Sequence, residues 1–188
     1  MGTVRVGIAG GLLYFKFGLY WKRVLNAAGA EVIISPETTE ETLADGIRHS
    51  ICDLCLPVKA FFGHVIALKD DVDYLFIPRM IRIESDAYLC PKFIGLPDMI
   101  RAAIKNLPPI IDIEFNITKN TPETFWREVW TELKLRGEIK AWSSDNDLLD
   151  LTGNTSRDFS ERLTIGVAGR PYLVLDNYLN KGIIRYMK

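Results

Sequence analysis

Cysteine is scarce. The chain of 188 residues holds three, Cys52, Cys55 and Cys90. An odd thiol count argues against a disulfide framework, and the opening Met1-Gly2-Thr3-Val4-Arg5-Val6 runs directly into a strand pattern rather than a secretory signal. The thiols are therefore expected to be metal-binding, redox-active or simply buried, in a cytoplasmic setting. No apolar run approaches the roughly 20 residues of a spanning helix, so no membrane partner is expected. Charge of one sign is also missing. Lys+Arg number 23 against 24 Asp+Glu, for a net charge of −1. That balance gives no electrostatic case for nucleic acid or an anionic membrane surface.

What is present is a globular pattern, 48% hydrophobic with four tryptophans. Val4 to Ala9 is a short apolar run ending in Gly10-Gly11, a buried strand followed by a tight turn. Residues 12–28 suit a helix, 31–35 a second strand, and 40–47 a helix that Thr38 or Thr39 can cap. A helix over 58–68, a strand over 74–78, a helix over 98–105 and a strand over 110–117 continue the rhythm. Thr121-Pro122 then opens a helix whose Phe125, Trp126, Val129, Trp130 and Leu133 read as a core face. Alternating strands and helices predict an α/β fold, a Rossmann-like parallel sheet with helices on both faces.

Residues 1–140 are read as that domain and 141–162, polar and turn-rich, as a linker or crossover. Residues 163–188 read as the start of a second similar unit, because Ile165-Gly166-Val167-Ala168-Gly169 echoes Val6-Gly7-Ile8-Ala9-Gly10. The second unit stops too soon to be complete, so the chain is expected to be a fragment of a longer protein. Alternatively, its strand joins the first sheet.

The chain is organised around Ser50-Ile51-Cys52-Asp53-Leu54-Cys55-Leu56-Pro57-Val58-Lys59. Cys52 and Cys55 have the Cys-x-x-Cys spacing. Pro57 fits the first turn of a helix, which places Cys55 at or just before a helix N-terminus. There the helix dipole and free N–H groups favour the thiolate, the form that binds metal or attacks an electrophile. Cys90 is also followed by proline and by a helix-like run, so two cysteine-bearing helix starts have the means to converge. Lys59 stands one helical turn from Cys55, either a charge beside a thiolate or a solvated lysine. His64, among Phe61, Phe62, Val65 and Ile66, reads as a buried, hydrogen-bonded histidine or as a ligand or proton donor near the cysteines. Arg79 and Arg82 leave the carboxyl end of the third strand, where open α/β sheets bind ligands. That makes 79–90 a candidate site loop for an anion, or a segment whose Arg82 pairs with Glu84 or Asp86. Gly10-Gly11 has neither a Gly-x-Gly-x-x-Gly nor a Gly-Lys-Ser/Thr pattern and reads first as a simple strand–helix turn.

Several of these stretches together resemble a known family. They are Val6-Gly7-Ile8-Ala9-Gly10, Cys55-Leu56-Pro57-Val58-Lys59 with Gly63-His64, Val72 to Pro78 ahead of Cys90-Pro91, and Ala168-Gly169-Arg170-Pro171-Tyr172. In them the chain resembles the activase-related family of 2-hydroxyacyl-CoA dehydratases, a domain family of unassigned function related to the iron–sulfur dehydratase subunits. The resemblance implies tandem Rossmann-like domains and a [4Fe–4S]-type cluster held by cysteines at helix starts. Cys55 and Cys90 match the family's cysteine positions, and Cys52 is additional. It further implies an ATP-dependent activase, or another donor of low-potential electrons, as partner alongside the rest of the parent protein.

Three readings follow. The first is an iron–sulfur component of dehydratase or reductase type, with Cys52, Cys55 and Cys90 toward the metal and Lys59, His64 and Arg79 toward charge or substrate. The second is a zinc or thiol-redox module, for which the chain supplies only half a zinc site. The third is a non-catalytic binding domain or fragment with buried cysteines.

Overall fold

The structure is a computed structural model and describes residues 2–135 and 167–187. The chain runs through β1 (Arg5–Ile8), α1 (Tyr14–Ala27), β2 (Glu31–Ile34), α2 (Glu40–His49), α3 (Leu56–Leu68) and β3 (Tyr74–Phe76). It continues through β4 (Arg79–Arg82), α4 (Pro91–Ile94), α5 (Leu96–Ala103), β5 (Ile110–Ile111), β6 (Glu114–Asn116) and α6 (Pro122–Glu132). Two short helices, α7 (Pro171–Val174) and α8 (Ile183–Tyr186), close the described part. The linker read over 141–162, and the first residues of the supposed second unit, lie outside the described residues.

Four strands make a parallel sheet in the order β2-β1-β3-β5. The α/β fold with helices on both faces is thus as the sequence implied. Side chains alternate across it, as the two-residue period of a strand requires. Val6, Ile8, Phe76 and Ile111 face α1 and α6, where Trp21, Leu25, Phe125 and Trp126 complete one core. Leu75, Ile77 and Ile110 face the other way, onto Phe62, Val65 and Leu68 of α3 and Ile100 of α5. The aromatic stripe of α6 is buried, as its spacing suggested. Trp126 stacks on Phe76 at 5.6 Å between centroids and donates its indole N–H to Tyr20 Oη at 2.9 Å.

The segment after β3 is not a loop as expected. Arg79–Arg82 is a strand, paired in parallel with β6. The amides of Leu75, Ile77 and Arg79 all donate across to the neighbouring segment, at 3.0, 3.0 and 3.1 Å, so the ladder carries on past Pro78. Along a strand alternate amides point to opposite neighbours. The missing N–H of Pro78 falls on the side of β1, which has already ended at Ile8. β4 and β6 therefore extend β3 and β5 through a bend.

Thr39 caps α2 by accepting from the Thr42 amide at 3.2 Å, and Thr121 caps α6 by accepting from the Thr124 amide at 3.3 Å. Helix α1 starts at Tyr14, two residues later than its pattern suggested, because Leu12 holds φ 51° in the left-handed region. α2 and α3 lie backbone to backbone. Ideal β-carbons on Gly46 and Gly63 would come within 1.8 Å of the Lys59 and Thr42 carbonyl oxygens, respectively. Among the described residues no helix is long and apolar enough to cross a membrane.

Candidate functional site

A hydrogen bond ties the surroundings of the two cysteine-bearing helix starts together. Cys55 is the N-cap of α3 and Cys90 the N-cap of α4, each followed by a proline in the first turn. All three cysteines are free and exposed. Lys92 Nζ donates to the Asp53 carbonyl at 3.1 Å, tying the turn before Cys55 to the helix after Cys90. Tyr172 of α7 meets them there, its ring 6.0 Å from that of Phe93. Burial raises the Tyr172 pKa, the Arg170 charge opposes that rise, and Cys55 and Cys90 both add to it. Arg170-Pro171-Tyr172, one of the stretches that carry the family resemblance, is in space a neighbour of the helix that Cys90 opens.

Of the other candidates, Lys59 stays near this point. Its amide donates to the Cys55 carbonyl at 3.1 Å, and its half-buried side chain lies one turn above the cysteine. The Arg79 guanidinium is engaged within the protein. It spans both Asp98 oxygens at 2.7 and 3.0 Å, Asp112 at 3.0 Å and the Ile94 carbonyl at 2.8 Å. Its hydrogen bonds to Asp98 first, then to Asp112, hold it still more firmly in the charged form. This is a fork-to-carboxylate tie between β4, α5 and the β5–β6 junction. Arg82 does not pair with Glu84 or Asp86 either. It donates to the Ser85 carbonyl at 3.2 Å and lies 3.7 Å over the Tyr88 ring.

His64 sits nine residues beyond Cys55 on α3, about 13 Å along the axis at 1.5 Å per residue. It is 1% exposed, and both ring nitrogens are engaged: Nδ1 with Ser35 Oγ at 2.9 Å and Nε2 with Thr38 Oγ1 at 3.0 Å. Thr38 Oγ1 in turn donates to Asp176 Oδ2 at 2.5 Å, and the Gly10 amide donates to Ser35 Oγ at 2.8 Å. The directions follow from chemistry. An ionised carboxylate only accepts, so Thr38 spends its proton on Asp176 and must accept from His64 Nε2–H. Nδ1 of the neutral ring then accepts from the Ser35 hydroxyl. One chain of hydrogen bonds runs from the Gly10 amide to Asp176, whose Oδ1 takes the amides of Tyr178 and Leu179 at 3.0 and 2.9 Å. Ser35, Thr38 and Asp176 carried no sequence signal. They stand 29, 26 and 112 positions from His64 and belong to no motif.

Burial pushes the His64 pKa down to about 4 from 6.5, with the Asp176 charge opposing that fall. The unfolded chain therefore binds a proton at a higher pH than the folded one. Stability from this group is complete above pH 6.5 and declines as pH falls toward about 4, by roughly 3 kcal/mol in all. Hydrogen bonds from Arg79 and Arg101 hold Asp98 and Asp112, respectively, below the usual carboxylate range, so their contribution is lost at lower pH still. Urea midpoints measured between pH 7 and pH 4.5 are expected to show this loss, and a His64→Gln chain to show a flatter profile.

This hydrogen-bond chain floors a cleft of about 230 Å³ at the carboxyl ends of β1 and β2, walled by Tyr14, Phe15, Glu37 and residues 175–178. The Gly10, Gly11, Tyr14, Phe15 and Lys16 amides all donate within the protein.

A doubly wound α/β domain with two helices that start at exposed cysteines is the class that fold and site define. The chain belongs to the family described as CoA enzyme activase uncharacterised domain (DUF2229), which it matches over residues 5–188. No curated protein and no solved structure gives a significant match.

Proposed function

We propose that this domain lends Cys55 and Cys90 to an iron–sulfur cluster in a 2-hydroxyacyl-CoA dehydratase-type system, where it receives low-potential electrons from an ATP-dependent activase. The observation carrying this reading is the pair of exposed cysteine N-caps, each followed by proline, whose surroundings the Lys92–Asp53 hydrogen bond ties together. The family to which the chain belongs supports the setting.

The donor set fits a cluster in part. Thiolates are the ligands iron–sulfur clusters take, but no group of three His, Cys, Asp or Glu side chains gathers among the described residues. With three cysteines in the chain, at least one ligand of a four-iron cluster comes from elsewhere. Cys52, three residues before Cys55, is the nearest further thiol in sequence. When bound, such a cluster supplies one-electron chemistry at low potential. Cys55 and Cys90 would hold the irons, with cationic Lys59, Lys92 and Arg170 as the nearby charges that would offset the thiolates. Half-buried Tyr172 restricts solvent on one side.

Anaerobic reconstitution with iron and sulfide tests this. The full chain is expected to take up both and to show thiolate-to-iron absorption, with Cys55→Ser and Cys90→Ser each losing it. A folded chain that holds no iron, or two variants that hold it as well as the parent, contradicts the proposal.

A further inference from the structure

We infer that the cleft at the carboxyl ends of β1 and β2 binds a small protonated amine carrying an aromatic group. This site is separate from the cysteine pair and rests on different observations.

The first is the direction of the hydrogen bonds in its floor. The proton of Ser35 is committed to His64 and that of Thr38 to Asp176, while each oxygen already accepts once, from Gly10 N–H and from His64 Nε2–H, respectively. A hydroxyl oxygen has two lone pairs, so both hydroxyls offer the cleft one acceptor and no donor. The buried histidine, unable to rotate without breaking two bonds, fixes this polarity. The second observation is charge. Glu37 and Asp176 line the cleft, and no lysine or arginine lines it among the described residues. Asp176 is saturated by Thr38 and two amides, whereas Glu37 is exposed and has no partner among the described residues. An anionic ligand meets like charge, and the Gly10, Gly11, Tyr14 and Phe15 amides are already spent. A ligand that donates several hydrogen bonds and carries positive charge meets acceptors and a free carboxylate.

The third observation is the wall. Tyr14, Phe15 and Tyr178 line the cleft, and aromatic faces attract ammonium groups and pack on flat rings. Tyr178 already has an ammonium over its ring, with Lys181 Nζ at 5.3 Å, from a residue that does not line the cleft.

Three probes of nearly equal size separate charge from shape: phenethylammonium, phenethyl alcohol and phenylacetate. Each is titrated into the full ¹⁵N-labelled chain, and the amide resonances of Gly10, Thr38 and Asn177 are followed. The amine is expected to move these resonances saturably, with affinity about three- to fivefold above that of the alcohol, the upper range that one exposed ion pair supplies. The acid is expected to be weakest. Glu37→Gln, at an exposed position, is expected to leave the spectrum elsewhere unchanged and to bring the amine down to the level of the alcohol. The inference is overturned if phenylacetate binds as well as the amine, or if Glu37→Gln leaves amine affinity intact. It is equally overturned if no cleft amide moves at about 10 mM amine, a concentration that detects even millimolar affinity.

Discussion

Gly63→Ala is expected to lower the unfolding free energy by about 3 kcal/mol or more, the upper end of what overpacking costs. The added methyl would stand 1.8 Å from the Thr42 carbonyl oxygen, and the same holds for Gly46 against the Lys59 carbonyl. In both cases the obstacle is backbone, which no rotamer change can move aside. The helices must separate, and α3 carries both Cys55 at its start and His64 beside the glycine. Gly29→Ala is the control. Its φ of 93° is strained for alanine, but nothing lies within 4 Å of the new methyl. A loss of only about 1 kcal/mol is expected there. Urea unfolding of the three chains checks the order. A Gly63→Ala chain as stable as the Gly29→Ala chain would contradict the backbone-to-backbone packing of α2 on α3.

The second large effect lies one residue further on. His64→Ala is expected to cost about 3 kcal/mol, through the cavity and through two hydroxyls deprived of their partner. Ser35, Thr38 and Asp176 are joined through that ring, and Asp176 belongs to the 167–187 segment. The loss is therefore expected to be local as well as global. Amides over 171–182 should exchange hydrogen markedly faster in His64→Ala, while β1 and β3 keep their ranking as the slowest. Exchange that speeds up uniformly, with no preference for that segment, would mean that the hydrogen-bond chain does not hold it.

The parallel sheet was legible because strand and helix periods alternate with clean punctuation. Gly29, Thr39 and Thr121-Pro122 mark ends in the places where the structure has them. The burial of Trp126 and Trp130 was legible for the same reason, an apolar face at helical spacing. Pro78 misled. Proline reads as the end of a strand, yet here its absent N–H points to a side where no partner strand remains. Leu12 misled too, since a left-handed leucine has no composition signal and delays α1 by two residues. At the site, the placing of Cys55 and Cys90 at helix starts followed from the repeated Cys-then-proline pattern. Its third member, Tyr172, comes from more than 80 residues beyond Cys90, and no local rule connects the two. Arg79 stood at the right end of the right strand for a ligand. Two carboxylates, Asp98 and Asp112, reach it from elements far along the chain, and periodicity does not reveal such a pairing.

The central claim is that Cys55 and Cys90 form one metal-accepting point, and cadmium tests it without requiring cluster assembly. The reduced chain is titrated with cadmium in the absence of oxygen, and thiolate-to-cadmium absorption is read for the parent, Cys52→Ser, Cys55→Ser and Cys90→Ser. The expected result is that Cys55→Ser and Cys90→Ser each weaken binding by about a hundredfold, as loss of one of two soft ligands should, while Cys52→Ser weakens it less. If Cys90→Ser binds cadmium as the parent does, the two helix starts do not share a metal, and the account of the cysteine site is wrong.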